Sequence, residues 1–332
     1  MNRWKNVGRL TGFLVTMALL LTGCDGVLDP KGPVAREQLQ LINLSFIIMI
    51  VVLVIVFGLF FYVLVRFRKR KGQTGIPEQV EGNHKLEIIW TVIPFLLLVI
   101  IAVPTVLYTF KFATDYTNDK NAIHVKVTGH QFWWEFEYTD KDLGLITANE
   151  LVIPVGKKIA LELTSADTLH SFWVPQLGGK IDTNPGMINK MYLEADIAAI
   201  YQGKCAELCG ASHALMNFKV IAKSEADFAA WASQMKAEAV ITEEAKEGEA
   251  IFTAKCLSCH AVSSDDRGAY PNLDGYAYRT RVAGVHPNDP QAENLRKWLS
   301  DTDHVKPGNN MGNQGLTDVE INELIKYLHE LK

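Results

Sequence analysis

The sequence predicts a membrane protein of several domains: a helical hairpin in the bilayer, then an all-β domain, then a small all-α domain. Three observations carry this. Residues 41–65 and 88–110 are two apolar runs without a charged side chain among 41–65 and with 88–110 similarly clean, each long enough to cross a hydrocarbon core of roughly 30 Å as a helix. From 123 to 222 the pattern changes to short alternating or apolar runs, such as 123–127, 132–138, 151–153, 159–163 and 218–221. Gly144, Pro154, Gly156, Gly178, Gly179, Pro185 and Gly186 separate them, and short strands at such spacing suggest a sandwich or barrel. The C-terminal part returns to helix signals. Ser224 is placed to cap a helix over 225–239, and Thr317-x-x-Glu320 has the form of a capping box opening a last helix through Leu328.

The basic run Arg66, Arg68, Lys69, Arg70 and Lys71 opens the link between the two spans, which places that link in the cytoplasm and everything after 110 outside. Pro94 and Pro104 fall in the second span, where neighbouring helices can absorb their backbone cost. The net charge of -4, with no other basic cluster, argues against nucleic acid as a partner, because phosphate binding needs a clustered basic surface. The N-terminus has a basic start (Arg3, Lys5, Arg9) and an apolar core at 13–21, the plan of a secretory signal peptide. It ends in Leu21-Thr22-Gly23-Cys24, which resembles a bacterial lipobox. That resemblance implies cleavage before Cys24, a lipid on its thiol, and residues 24–40 as an external lead-in to the membrane.

The chain has five cysteines, an odd number arranged as two close pairs, each next to a histidine, with Cys24 alone. That is not a disulfide framework. Cys256-Leu257-Ser258-Cys259-His260 is the C-x-x-C-H string of covalent c-type haem attachment. Two thiols at that spacing reach the two vinyl groups, and His260 lies beneath the iron as an axial ligand. A zinc site would need further ligands, and no cysteine remains in this part of the chain. A second axial ligand is expected to be a thioether or an imidazole. Met311 is the only methionine after Met235, and His286, His304 and His329 are its rivals.

The other pair lies in Cys205-Ala206-Glu207-Leu208-Cys209-Gly210-Ala211-Ser212-His213-Ala214-Leu215-Met216. Two thiolates, an imidazole and a thioether form a soft donor set. Zinc gains little from the methionine, whereas copper in either oxidation state suits all four. Gly203 and Gly210 place this segment on a loop of the β-domain.

The string resembles the C-x-E-x-C-x-x-x-H-x-x-M motif of cytochrome c oxidase subunit II. That family has one more histidine upstream, matched here in His170-Ser171-Phe172-Trp173-Val174-Pro175. The resemblance runs from about residue 40 to 231. It implies a cupredoxin barrel and two copper ions held by His170, Cys205, Cys209, His213, Met216 and the carbonyl of Glu207, with both thiolates bridging. It also implies magnesium on the Glu207 carboxylate at the contact with subunit I, and a proton-entry role for Glu87. Residues 129–136 resemble the family's aromatic strand beside the copper. Many members carry a tryptophan there that receives electrons, where this chain has Phe132 followed by Trp133. The C-terminal part is similar to class I cytochromes c, whose distal methionine precedes the last helix, as Met311 does. Pro271 matches the family's proline whose carbonyl accepts the proximal histidine N–H.

The expected order is signal peptide 1–23, external segment 24–40, transmembrane hairpin 41–110, cupredoxin domain 111–223, helical linker 224–245 and cytochrome c domain 246–332. The resemblance implies subunit II of a terminal oxidase with an appended cytochrome, in a bacterial cytoplasmic membrane with its metal domains on the outer face. Its partners would be subunit I, the other oxidase subunits, and a donor such as a cytochrome bc complex or a small cytochrome c. Electrons would pass from haem c to copper to haem in subunit I, where oxygen is reduced and protons are moved. A copper-containing nitric oxide reductase subunit is the nearest alternative. A copper-handling assembly factor is a second, but it gives no reason for an attached haem.

Overall fold

The computed structural model describes residues 26–332 apart from 73, 77, 80, 264, 265 and 290, together with residues 11, 12 and 16. The lipidation expected at Cys24 lies outside the described residues. The chain divides into a unit of residues 37–113 and a second unit made of the remainder.

In the first unit, helix α1 (Pro33–Arg66) continues into it and α2 (His84–Phe112) completes it. Their apolar side chains are open, with Phe46, Ile47, Leu59, Phe61, Phe95 and Leu98 all more than half exposed, a surface that only lipid or other apolar partners would cover. Thr91, Thr105 and Thr109 turn their hydroxyls back to carbonyls four residues earlier, each at 2.8 Å, so these polar groups are satisfied within the helix. At one end Tyr108 hydrogen-bonds Gln40 at 3.2 Å and Lys111 pairs with Glu37 at 2.5 Å. Asn83 caps α2 by accepting from the Lys85 and Leu86 amides. Glu87 falls in the first turn of α2, 3.5 Å from His84, where a carboxylate also meets the positive end of the helix dipole.

The β-domain has two five-stranded sheets. In one the order is β3 (Ile146–Ala148), β2 (Trp133–Tyr138), β1 (Ile123–His130), β5 (Ile159–Ser165), β8 (Asn189–Leu193). In the other it is β4 (Glu150–Pro154), β10 (Asn217–Lys223), β9 (Ala199–Cys205), β6 (His170–Trp173), β7 (Ile181–Thr183). The sheets bury Trp134, Phe136, Phe172 and Phe218 between them, with Phe172 and Phe218 stacked at 4.6 Å. The five runs read as strands are strands. Strands β3, β6, β7, β8 and β9 carry weaker signals, because most are short or do not alternate.

The helix after the barrel, α3 (Glu225–Met235), is shorter than the expected 225–239. It buries Phe228, Trp231, Ala232 and Met235, with Trp231 against Tyr138 of β2 at 5.6 Å. Its apolar face therefore joins the barrel core, so this linker helix is a packed element and not a free tether.

The C-terminal part folds around α4 (Lys246–Lys255), α5 (Glu293–Ser300), α6 (Thr302–Val305) and α7 (Asp318–Glu330), with a two-residue ribbon, β11 (Arg281–Val282) and β12 (His286–Pro287). The Thr317–Glu320 capping box is present. Helices α4 and α7 approach at Gly248, where a Cβ would stand 2.1 Å from the Glu323 carbonyl oxygen. Gly248→Ala is therefore expected to force the helices apart and destabilise this domain by about 1–3 kcal/mol. Thermal unfolding followed at the haem absorbance would measure it, and an unchanged midpoint would contradict the close crossing.

Candidate metal centre and haem pocket

Strand pairing assembles the first site. His170 opens β6 and Cys205 ends β9, and these strands pair with Phe172 opposite Cys205. The chain then loops through Glu207, Cys209 and His213 and returns at Met216 into β10, which pairs with β9. Gly129 on β1 lets the His170 ring lie over the strand, since a Cβ there would be 2.8 Å from the ring.

The two sulfurs of Cys205 and Cys209 are 3.9 Å apart. His170 Nδ1 lies 3.9 Å from Cys205, while His213 Nδ1 and Met216 Sδ lie 3.7 and 3.8 Å from Cys209. The Glu207 carbonyl accepts from the Cys205 thiol at 3.2 Å. Sulfurs about 2.3 Å from one tetrahedral metal are roughly 3.8 Å apart, so these separations suit donors that share ions. All six predicted donors meet here, with the two thiol sulfurs at the centre, His170 and the Glu207 carbonyl beside Cys205, and His213 and Met216 beside Cys209, which fits a pair of soft metal ions. His170, Cys205 and Cys209 are buried. Asp167 Oδ1 holds His170 Nε2 at 2.8 Å, which leaves Nδ1 for a metal. This outer carboxylate had no sequence signal beyond its place three residues before the histidine.

Burial opposes ionisation of Cys205, but its contact with His170 and the nearby backbone groups outweigh this and bring its thiol down to about 7. Burial and then the neighbouring Cys205 charge push Cys209 up. The two shifts run in opposite directions, so the pair favours one thiolate over two, and a bound cation would take the second proton's place.

In the second site, His260 donates from Nδ1 to the Pro271 carbonyl at 2.8 Å, leaving Nε2 for an iron. Burial pushes the imidazole's pKa down, favouring the neutral ligand form. Cys256, Cys259, His260 and Met311 line one cavity whose apolar walls include Phe252, Leu295, Trp298, Leu324 and Leu328. An attached haem fits this pocket, with thiols, imidazole and thioether on a largely apolar lining. None of the rival His286, His304 and His329 lines it among the described residues. Arg279 and Lys306 do line it. Lys306 is 3% exposed and donates to the Ala283 carbonyl at 2.9 Å, and burial pushes its amine down to about 7.

The two sites share a wall. Gln131, Phe132 and Trp133 of the β-domain line the same cavity as Cys256, Cys259, His260 and Met311. Phe132 also reaches the copper-type loop, since a Cβ on Gly210 would stand 3.0 Å from its ring, and Gln131 donates to the Cys209 carbonyl. Around this wall Lys219 donates to Thr280 at 2.6 Å, the Thr280 amide donates to Glu150 at 2.8 Å, and Arg267 pairs with Glu137. The residues expected as the two ligand sets gather at these two places, and the contact between them had no signal in the sequence.

Comparison with known proteins agrees with the geometry. Residues 26–107 match the cytochrome C oxidase subunit II transmembrane domain, 141–223 its periplasmic domain, and 245–332 cytochrome c. The chain is 44% identical over its full length to cytochrome c oxidase subunit 2 of Alkalihalophilus pseudofirmus, covering 99% of that protein. It is 45% identical over 98% of both chains to the Bacillus subtilis protein of the same name. Quinol oxidase subunit 2 of Bacillus spizizenii is 40% identical over 68% of this chain and 72% of its own. These matches imply copper, haem and further oxidase subunits as companions. The chain belongs to the cytochrome c oxidase subunit II family, part of a membrane-bound oxidoreductase, and carries a cytochrome c domain at its C-terminus.

Proposed function

We propose that this chain is the electron-input subunit of a terminal cytochrome c oxidase and that electrons cross it from its own haem c to a pair of coppers. From there they would go to haem in subunit I, where oxygen is reduced to water and protons are translocated. One observation carries this reading: a single cavity is lined by the haem-attachment residues and by Phe132 and Trp133 beside the copper loop. Haem c and the copper pair, when bound, supply reversible one-electron chemistry.

The residues position and tune that chemistry. Cys256 and Cys259 would tether the haem, with His260 and Met311 as axial ligands and the Pro271 carbonyl orienting the imidazole. His170, Cys205, Cys209, His213, Met216 and the Glu207 carbonyl would hold the coppers. Cys205 and Cys209, with sulfurs 3.9 Å apart, would give the coppers soft thiolate donors held by paired strands, so that the protein around them need move little on a one-electron change. Phe132 and Trp133, both buried, keep water out of the space between the centres. The Glu207 carboxylate, next to Leu208 at 76% exposure, is proposed as a magnesium ligand at the contact with subunit I. Glu87 is proposed at a proton entrance; it lies in the first turn of α2, 3.5 Å from His84.

The basic run after α1 supports a cytoplasmic hairpin with metal domains on the outer face. The donor would be a membrane cytochrome bc complex or a small cytochrome c. Cys24 is proposed to carry the lipid, and intact mass spectrometry should find a chain starting at Cys24 with added acyl mass; an unprocessed Met1 start would remove that proposal. The route itself is tested by flash reduction of haem c in the full complex. Haem reoxidation and copper reduction should proceed with the same time course, independent of protein concentration. A concentration-dependent transfer would mean that the electron travels between molecules.

A further inference from the structure

We propose that Ser212 is a positioning residue that seats the haem domain's methionine loop on the copper loop. The inference rests on the proposed haem-to-copper route and adds the contact that fixes its geometry. Ser212 is 1% exposed, one residue before His213, and its side chain makes no capping hydrogen bond to the helical turn that begins there. Its Oγ donates instead across the domain boundary to the Pro307 carbonyl at 2.7 Å. Pro307 precedes Met311 in the same loop, and Gly308 follows it with φ +71° and a Cβ position only 3.3 Å from the Ala211 side chain.

This is a direct link between two ligand-bearing segments. It runs from the residue beside a proposed copper ligand to the loop of a proposed iron ligand. Other contacts, Lys219 with Thr280 and Arg267 with Glu137, hold the domains together at other points, so losing the Ser212 contact opens the loop locally and leaves the domains associated. The transferred electron leaves the haem oxidised by one and the copper pair reduced by one. No proton need move, so loop placement is what the serine contributes.

The test compares Ser212→Ala and Ser212→Thr in the full chain within its complex. A hydrogen bond of ordinary net strength corresponds to roughly a fivefold change. Ser212→Ala is expected to slow haem-to-copper transfer by about that factor, with both midpoint potentials and the copper paramagnetic spectrum unchanged, while amide hydrogen exchange rises in residues 308–311. Ser212→Thr keeps the hydroxyl and should keep the rate. If Ser212→Ala fails to take up copper, Gly308→Val opens the same seam from the haem side and should give the same two signs. Unchanged transfer and unchanged exchange would overturn the proposal, as would a slower rate fully accounted for by a shifted copper potential. The exchange measurement needs no electron transfer, so failure of the route and failure of the seam read separately.

Discussion

Cys209→Ser is expected to abolish the paired-copper signature and, with it, oxygen uptake by the complex. Cys209 is 4% exposed and touches three other donors, the Cys205 sulfur, His213 Nδ1 and Met216 Sδ, all within 4 Å. A serine hydroxyl at that centre is a harder donor and stays protonated, so the proposed copper pair would lose one of its shared soft donors. Outer partners of metal ligands already cost about 10- to 100-fold in affinity or activity when removed, so losing a shared ligand should cost roughly 100-fold or more. Metal analysis and electron paramagnetic resonance would check it: two coppers with one shared unpaired electron in the wild type, and one or none without that signature in the variant. Met216→Leu sets the contrast. It should retain both coppers and shift their potential, because a weak thioether mainly tunes the metal. A native signature in Cys209→Ser would mean that the sulfurs are not bridging.

Much of this candidate site was legible in the sequence because five of its six expected donors lie in one string, from Cys205 to Met216, and fold as a single loop between two paired strands. His170 was different. Nothing local marks it, and only the match of its flanking Ser171 and Pro175 to a family pattern brought it forward. The structure explains its membership by pairing β6 with β9, a contact that no periodicity predicts for a four-residue strand. The helix over 225–235 was read as a linker because its surroundings are polar, yet Phe228, Trp231 and Met235 lie on one face and complete the barrel core. Met235 also touches the position of Gly275 in the haem domain. The seam between the domains was invisible for a related reason. Ser212, Pro307 and Lys306 are unremarkable residues in their own segments, and their roles arise only when two separately specified cores meet. Lys306 is the clearest case, a charged residue that sequence statistics place at the surface and that the fold buries at the cavity wall.

Replacing Met311 with leucine should have the second largest effect, and it acts at the other end of the route. The haem would stay covalently attached, because Cys256, Cys259 and His260 are untouched, but the iron would lose the thioether that the cavity presents to it. A Met/His pair raises the potential of a cytochrome c, so its loss should lower that potential. For a one-electron centre each 59 mV is a factor of ten, so a fall of roughly 100 mV disfavours reduction by the natural donor about 50-fold. The downstream step becomes more favourable by the same amount. Turnover with the natural donor should therefore collapse at haem entry, while a strong low-potential reductant restores much of the flow and the copper spectrum stays native. Spectra of the ferric protein and potentiometry would show the altered ligation directly. His286→Ala, His304→Ala and His329→Ala should leave both unchanged, since none of these side chains lines the cavity. Should Met311→Leu keep a native haem spectrum and potential, another residue holds the sixth position. Should it lose them and still turn over normally with the natural donor, electrons reach the copper without passing through this haem.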